Sequence, residues 1–82
     1  MIKELQSDEI SQGVGWYAVF YLRQEKVKYV GKLISVDVDN QKMKYEIISG
    51  SNKGETGIGK FSTGRPLKVY DEGSLVKALL EV

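Results

Sequence analysis

Apolar and polar residues alternate with a period of two over most of the chain, a pattern that predicts β-strands rather than helices. Residues 16–22 (WYAVFYL) are rich in aromatic residues and follow Gly13 and Gly15, so they predict a strand. One side of this strand is expected in the core, namely Trp16, Ala18, Phe20 and Leu22. The other side is expected to be half exposed, namely Tyr17, Val19, Tyr21 and Arg23.

The next predicted strand, residues 27–38 (VKYVGKLISVDV), changes its apolar side partway along. Its apolar residues stand at odd positions up to Leu33 and at even positions from Ile34 onward. A strand cannot change its buried face without a bend or a bulge. Gly31 lies just before the change and is expected to permit the bend. Such a strand lets a small barrel turn a corner between two sheets.

Residues 42–48 (KMKYEII) predict the partner strand of a hairpin. A two-residue turn at Asn40 and Gln41 would pair Val38 with Met43, Val36 with Tyr45 and Ile34 with Ile47 on the inner side. On the outer side it would pair Asp39 with Lys42 and Asp37 with Lys44. This register satisfies the apolar and the charge patterns together, and a longer loop is the alternative because Asn-Gln is a poor turn pair.

The remaining segments predict shorter elements. Residues 49–64 are rich in glycine and predict a loop with a short strand near Ile58 and Phe61. Residues 65–71 predict a last strand, with Pro66 at its start or at a sheet edge. In residues 74–82, Leu75, Leu79 and Val82 have helical spacing and Ser74 is a candidate cap. Residues 1–12 predict a loose segment or one helical turn. The fold expected is a single domain, residues 1–82, mainly β, with about five antiparallel strands and a short C-terminal helix.

Composition excludes several kinds of chemistry. The 82 residues contain no cysteine and no histidine, which removes disulfides, thiolate metal sites and the commonest general base. No cofactor and no metal is expected. No apolar run approaches the roughly 20 residues of a membrane span, and the N-terminus lacks the apolar core of a secretory signal, so a cytoplasmic protein without a membrane partner is expected.

The stretch GETGIGK, residues 54–60, has the glycine and lysine spacing of a phosphate-binding P-loop. The P-loop needs a Ser or Thr after its lysine and a helix after that, whereas here Phe61 follows Lys60, and Gly64 and Pro66 come soon after. A glycine-rich turn leading into a strand is the better interpretation, with Gly57 and Gly59 serving backbone geometry or close packing. No enzyme activity is expected.

Positive charge is uneven along the chain although the net charge is only +1. Residues 11–35 and residues 51–70 each contain four basic residues and one acidic residue. Basic side chains interleaved with aromatic ones can neutralise phosphates and stack on bases. The candidate nucleic-acid or partner-binding residues are Tyr17, Tyr21, Arg23, Lys26, Lys28, Lys32, Lys53, Lys60 and Arg65. The alternative interpretation is a solvated strand face with half-buried packing tyrosines.

The expected architecture is similar to SH3-like small barrels of the Tudor, chromo and KOW type. The pieces VGKLIS (30–35), KGETGIGKFS (53–62) and SLVKALLEV (74–82) also resemble, in order, the small archaeal chromatin proteins. That resemblance implies a three-stranded sheet laid across a DNA minor groove. The chain differs from these proteins by the inserted strand MKYEIISG (43–50) and by lacking their excess of lysine. A Tudor-like relationship would instead imply an aromatic cage for a methylated cation, with Tyr17, Tyr21, Tyr29 and Tyr45 not distinguished as members.

The sequence thus predicts a non-catalytic binding module whose partner is nucleic acid, either DNA or RNA. The alternative is a protein-interaction module, an adaptor or inhibitor of the kind that phages and mobile elements encode, which docks on a larger protein. Its contact surface would be an edge strand bearing Pro66 or the exposed tyrosines. A structural subunit of a larger assembly is the third alternative.

Overall fold

A computed structural model describes residues 1–22 and 24–82. Its elements are β1 (Ile2–Leu5), β2 (Tyr17–Leu22), β3 (Val27–Asp37), β4 (Lys42–Ile47), β5 (Thr56–Lys60), β6 (Leu67–Tyr70) and α1 (Leu75–Leu80), with 3₁₀ turns at Ile10–Gly13 and Glu72–Ser74. The strands form one antiparallel sheet in the order β1-β6-β2-β3-β4-β5. The predicted fold class, mainly β with a short C-terminal helix, is confirmed.

The two ends of the sheet are β1 and β5. No ladder joins these two strands within the described residues, so closure into an SH3-like barrel stays a prediction. Pro66 was expected at the start of its strand or at a sheet edge, and the first alternative is observed, since β6 lies between β1 and β2. Pro66 precedes β6 and is not part of its ladder, so its missing N–H costs the sheet nothing.

The first dozen residues do not form a loose segment. Residues 2–5 pair with β6, from Ile2 opposite Tyr70 to Leu5 opposite Leu67, and the following 3₁₀ turn buries Ile10. The loose-segment alternative was wrong because the strand is only four residues long and its partner lies near the other end of the chain, whereas the 3₁₀ turn at Ile10–Gly13 is close to the other alternative, one helical turn. Local periodicity carries no information about such a distant pairing.

Strand β3 contains the predicted irregularity, but at a different residue. Its register against β4 shifts between Leu33, which faces Tyr45, and Ser35, which faces Lys44. Ile34 is therefore the extra residue of a bulge, and it is exposed instead of lying inside opposite Ile47. Gly31 is not the site of the bulge, because it is paired with Ala18 on one side and with Ile47 on the other.

The β3–β4 turn is longer than the predicted two-residue turn. The last pair of the ladder is Asp37 with Lys42, so residues 38–41 form the loop, and Val36 faces Met43. This register is two residues away from the predicted one, so the same side of each strand stays inward. The Asp37 side chain closes the loop by accepting hydrogen bonds from the backbone and side-chain nitrogens of Asn40. Val38, expected inside, is exposed.

The main core lies on the inner face of the sheet. It contains Leu5, Ile10, Ala18, Leu33, Met43, Phe61 and Val69, with Trp16 and Phe20 packed against it. Phe61 is buried, so it is not available as an aromatic contact on the surface.

Helix α1 covers part of the outer face of the sheet. Ala78 packs there against Val30 and Tyr70, with Val19 and Leu75 at the margin. Leu79 and Val82, expected to pack, are exposed, because the helix ends at Leu80 and presents Ala78 inward. Ser74 precedes the helix without a side-chain cap bond, and Asp71 instead accepts the Ser74 backbone N–H.

Among the described residues, no helix has the length and apolar content needed to cross a membrane.

Candidate functional site: the bare sheet face

Helix α1 packs on β2, β6 and the part of β3 around Val30. The outward residues from Lys32 of β3 across β4 to β5 are exposed. Strand β4 alternates strictly, so Met43, Tyr45 and Ile47 are buried while Lys42, Lys44 and Glu46 are exposed. In β5 the inward positions are glycines and the outward positions are Thr56, Ile58 and Lys60. We call this outer surface, from Lys32 and Ile34 of β3 to Lys60 of β5, the bare sheet face.

Side chains on the bare sheet face stand in three rows across the strands, which follow from the registers. One row is Asp37, Lys42 and Lys60. The middle row is Ser35, Lys44 and Ile58, and the third row is Lys32, Glu46 and Thr56. Lys44 thus lies between Ser35 and Ile58, and the bulged residue Ile34 precedes Ser35 on the same strand.

Two isoleucines are exposed on this face and belong to none of the buried core clusters. Ile34 is 42% exposed and Ile58 is 69% exposed. Scattered exposed apolar residues are common on protein surfaces, but here they share a bare sheet with lysines. Burial of a side chain as large as isoleucine is worth about 1.5–3 kcal/mol, and the fold leaves most of that energy unused at Ile58 and a smaller part of it unused at Ile34.

The bare sheet face is positively charged. Lys32, Lys42, Lys44 and Lys60 lie on it with Asp37 and Glu46, four cations against two anions. Neither ion pair within the described residues, Met1 amine with Asp71 and Lys68 with Glu81, involves these lysines. The Asp37 carboxylate faces the β3–β4 turn, where it accepts hydrogen bonds from Asn40. These bonds lower the pKa of Asp37, so it is ionised at neutral pH.

The predicted binding residues that the structure describes lie in several elements. Tyr17 and Tyr21 lie on β2 opposite Lys32 and Lys28, on the same outer side of the sheet. Tyr17 is half buried against the cluster under α1, and the Lys32 ammonium lies 5.9 Å from its ring centroid. Tyr21 is 54% exposed beside Lys28, so it is the tyrosine of the two that a ligand could reach.

The other predicted residues lie in turns or at strand ends. Lys26 is in the β2–β3 turn and Lys53 is in the β4–β5 loop. Lys60 is on the bare sheet face, and it lines a groove with Arg65 next to Pro66. Arg23 lies outside the described residues. The structure thus brings Lys32 and Lys60 to the bare sheet face, whereas Lys26, Lys53 and Arg65 lie outside its strands.

Four residues of the bare sheet face are not found from the sequence. The alternating pattern assigns Lys42 and Lys44 to charge pairs with Asp39 and Asp37, and it assigns Ile34 to the core. Ile58 is placed in a short strand without a role. The alternation in KMKYEI already points both lysines outward, but only the strand order shows that they stand next to Ile58 and Lys60.

The aromatic rings do not form an open cage for a methylated cation. Phe20 and Tyr45 are stacked with ring centroids 4.0 Å apart, and Tyr29 lies 5.9 Å from each. The hydroxyl oxygens of Tyr29 and Tyr45 are 2.5 Å apart and hydrogen-bonded, and burial raises the pKa of Tyr29. Both tyrosines are buried, so these rings are core.

Glycines make room for this stack. A Cβ on Gly31 would lie 2.9 Å from both the Phe20 and the Tyr45 rings, and one on Gly57 would lie 2.7 Å from the Tyr45 ring. The P-loop-like stretch is therefore a turn leading into β5, whose glycines serve close packing, as the sequence predicts.

Comparison of the chain with protein-family models, with curated proteins and with solved structures gave no match.

Proposed function

We propose that this chain is a non-catalytic binding module that contacts nucleic acid through the bare sheet face. The observation that carries the proposal is the group of four lysines around exposed Ile34 and Ile58 on three adjacent strands. The proposal includes no cofactor and no metal, and it places the protein in the cytoplasm.

The chemistry of this face suits a phosphate backbone. Lysine ammonium groups neutralise phosphates and release counterions, which gives affinity without sequence specificity. The isoleucines offer apolar contact to sugars or base edges, and β-sheets are known readers of nucleic-acid grooves. Tyr21 with Lys26 and Lys28 would extend the contact toward the β2–β3 turn, where an exposed ring can stack on a base.

The proposal predicts a defined dependence on salt. If the four lysines each neutralise one phosphate of duplex DNA, the slope of log affinity against log salt is about −3.6, from about −0.9 per phosphate. Affinity then falls by about 150-fold between 50 and 200 mM salt.

The test is fluorescence anisotropy of labelled duplex DNA, single-stranded DNA and single-stranded RNA, titrated with the protein at several salt concentrations. The double variant Lys42→Glu/Lys44→Glu is expected to abolish binding. The control Lys77→Glu changes an exposed lysine on α1, away from the bare sheet face, and is expected to bind nearly as well as the unmodified chain. Absence of binding to all three probes at about 50 mM salt would refute the proposal.

A protein partner is the second candidate, favoured by a different observation. Helix α1 exposes Val76, Leu79 and Leu80, at 66%, 39% and 78%, and the net charge is nearly neutral. Such a stripe suits a helix-in-groove contact. Binding to a defined protein that survives nuclease treatment and is lost in Val76→Lys/Leu80→Lys would favour this candidate.

A further inference from the structure

The free edge of β5 has unpaired backbone groups at regular positions. Among the described residues, β5 is paired on one side only, with β4. Ile47 N–H donates to Glu55 C=O at one end of this ladder, and Phe61 N–H donates to Gln41 C=O at the other. In an antiparallel ladder the bonded pairs alternate with non-bonded ones. The residues that bond to β4 are therefore Gly57 and Gly59, and Thr56, Ile58 and Lys60 point their N–H and C=O groups away from it.

This edge has few of the features that block strand pairing. Natural edges are protected by proline, bulges or inward-pointing charges. Strand β5 has no proline, its register against β4 is regular, and its inward positions are glycines. Of its outward residues, Lys60 is charged but stands at the end of the strand. The other sheet edge, β1, carries Lys3 and Glu4 next to each other.

The sequence of β5, Thr56-Gly57-Ile58-Gly59-Lys60, is complementary to itself when reversed. In an antiparallel pair centred on Ile58, each Ile58 faces the other, glycines face glycines, and each Lys60 faces a Thr56. All of the free backbone groups are then used, in three bonded pairs of two hydrogen bonds each. A register that places Lys60 against Lys60 would leave groups unpaired and bring like charges together.

We propose that two copies of this chain associate through antiparallel pairing of their β5 edges, centred on Ile58. The two-fold contact is isologous and closes at a dimer. It continues the six-stranded sheet into a second copy and covers the exposed Ile58 side chains with each other. Pairing of five residues buries less surface than a permanent interface requires, so the dimer is weak and forms at high concentration. The inference does not depend on nucleic-acid binding.

The experiment is sedimentation equilibrium of the full chain, without nucleic acid, from about 10 µM to about 1 mM. The average mass is expected to rise from that of one chain toward that of two. Since position 58 faces itself across the axis, Ile58→Lys and Ile58→Glu are each expected to stay monomeric, because like charges meet. An equimolar mixture of the two variants is expected to associate, because Lys then faces Glu.

Two controls distinguish pairing of the β5 edges from misfolding of the variants and from association through another surface. Thermal unfolding of both Ile58 variants checks that they are folded, which their exposed position leads us to expect. Lys77→Glu, on α1, is expected to dimerise like the unmodified chain. A chain that stays monomeric at about 1 mM overturns the proposal, as does a mixture of the two Ile58 variants that stays monomeric while the unmodified chain dimerises. Assemblies larger than two also overturn it, since they indicate a head-to-tail contact such as β5 with β1.

Discussion

Gly31→Ala tests whether the glycine in the middle of β3 exists for packing or for bending. A Cβ at this position would lie 2.9 Å from a ring carbon of Phe20 and 2.9 Å from a ring carbon of Tyr45. Both rings are held, because they stack on each other and the Tyr45 hydroxyl is bonded to Tyr29. Overpacking of this kind costs about 1–3 kcal/mol. In a domain of this size, 1 kcal/mol lowers the melting temperature by about 4–8 °C.

The assay is urea and thermal unfolding followed by circular dichroism, with Gly73→Ala as the matched control. A Cβ at Gly73 would meet no atom closer than 3.6 Å, so this variant is expected to be neutral or more stable by up to about 1 kcal/mol. Phe20→Leu removes one crowding ring, so the cost of Gly31→Ala should be smaller in that background. Equal costs in both backgrounds, or no cost at all, would refute a packing role for Gly31.

Three further predictions concern the tyrosine pair, the end of α1 and the bare sheet face. Tyr29→Phe leaves the buried Tyr45 hydroxyl without its partner and should lower the free energy of unfolding in urea by about 1–3 kcal/mol. If the two hydroxyls are coupled, the double variant Tyr29→Phe/Tyr45→Phe loses less stability than the sum of the two single losses, and an additive loss would contradict the coupling. The hydrogen bond from Tyr70 to Glu81, then the charge of Lys68, lower the pKa of Glu81 despite partial desolvation. This stabilisation is therefore present above the ordinary pKa of Glu and is lost as pH falls through the lowered value. Glu81→Gln should make the melting temperature fall less steeply with acidification, and an unchanged fall would contradict this. Lys44→Glu alone should reduce duplex DNA affinity at 50 mM salt by more than 10-fold and make the salt slope shallower by about 1–2, and an unchanged slope would remove Lys44 from the interface.

The sequence predicted the strands whose alternation is local and whose partners are near in the chain. Period-two patterns placed β2, β3 and β4 correctly. Because the apolar residues of β3 change from odd to even positions, its sequence also required a bend or a bulge. The pattern located the change of side between Leu33 and Ile34, where the register shift lies, but the bend was assigned to Gly31 because a glycine stands just before the change. Energetically, exposing Ile34 while Leu33 and Val36 stay inward keeps two apolar side chains in contact with Tyr45 and Met43.

The candidate site was harder to predict than the fold. The sequence indicated the basic residues Lys32 and Lys60, but it grouped them with Tyr17 because both tyrosines and lysines alternate on β2 and β3. Helix α1 packs over the middle of that surface, and its direction of packing cannot be read from nine residues of sequence. What the sequence lacked was the adjacency of β4 and β5, which depends on the register of a glycine-rich strand with few apolar side chains to fix it.

Nucleic-acid contact through the lysines and self-pairing through the β5 backbone would use different groups of the same strand, and the Ile58 side chain would serve both. Side chains of β5 stand roughly perpendicular to the sheet, whereas its free N–H and C=O groups lie in the plane of the sheet. A β5-paired dimer would therefore leave Lys60 and Lys44 exposed and would join two bare sheet faces into one longer basic surface. Duplex DNA long enough to cover both faces should then bind the dimer more tightly than two separate chains, because the second contact is intramolecular. Titrations of the protein with duplexes of about 10 and about 30 base pairs would test this, since only the longer duplex should favour the β5-paired dimer. Equal affinity per binding site for the two duplexes would contradict it.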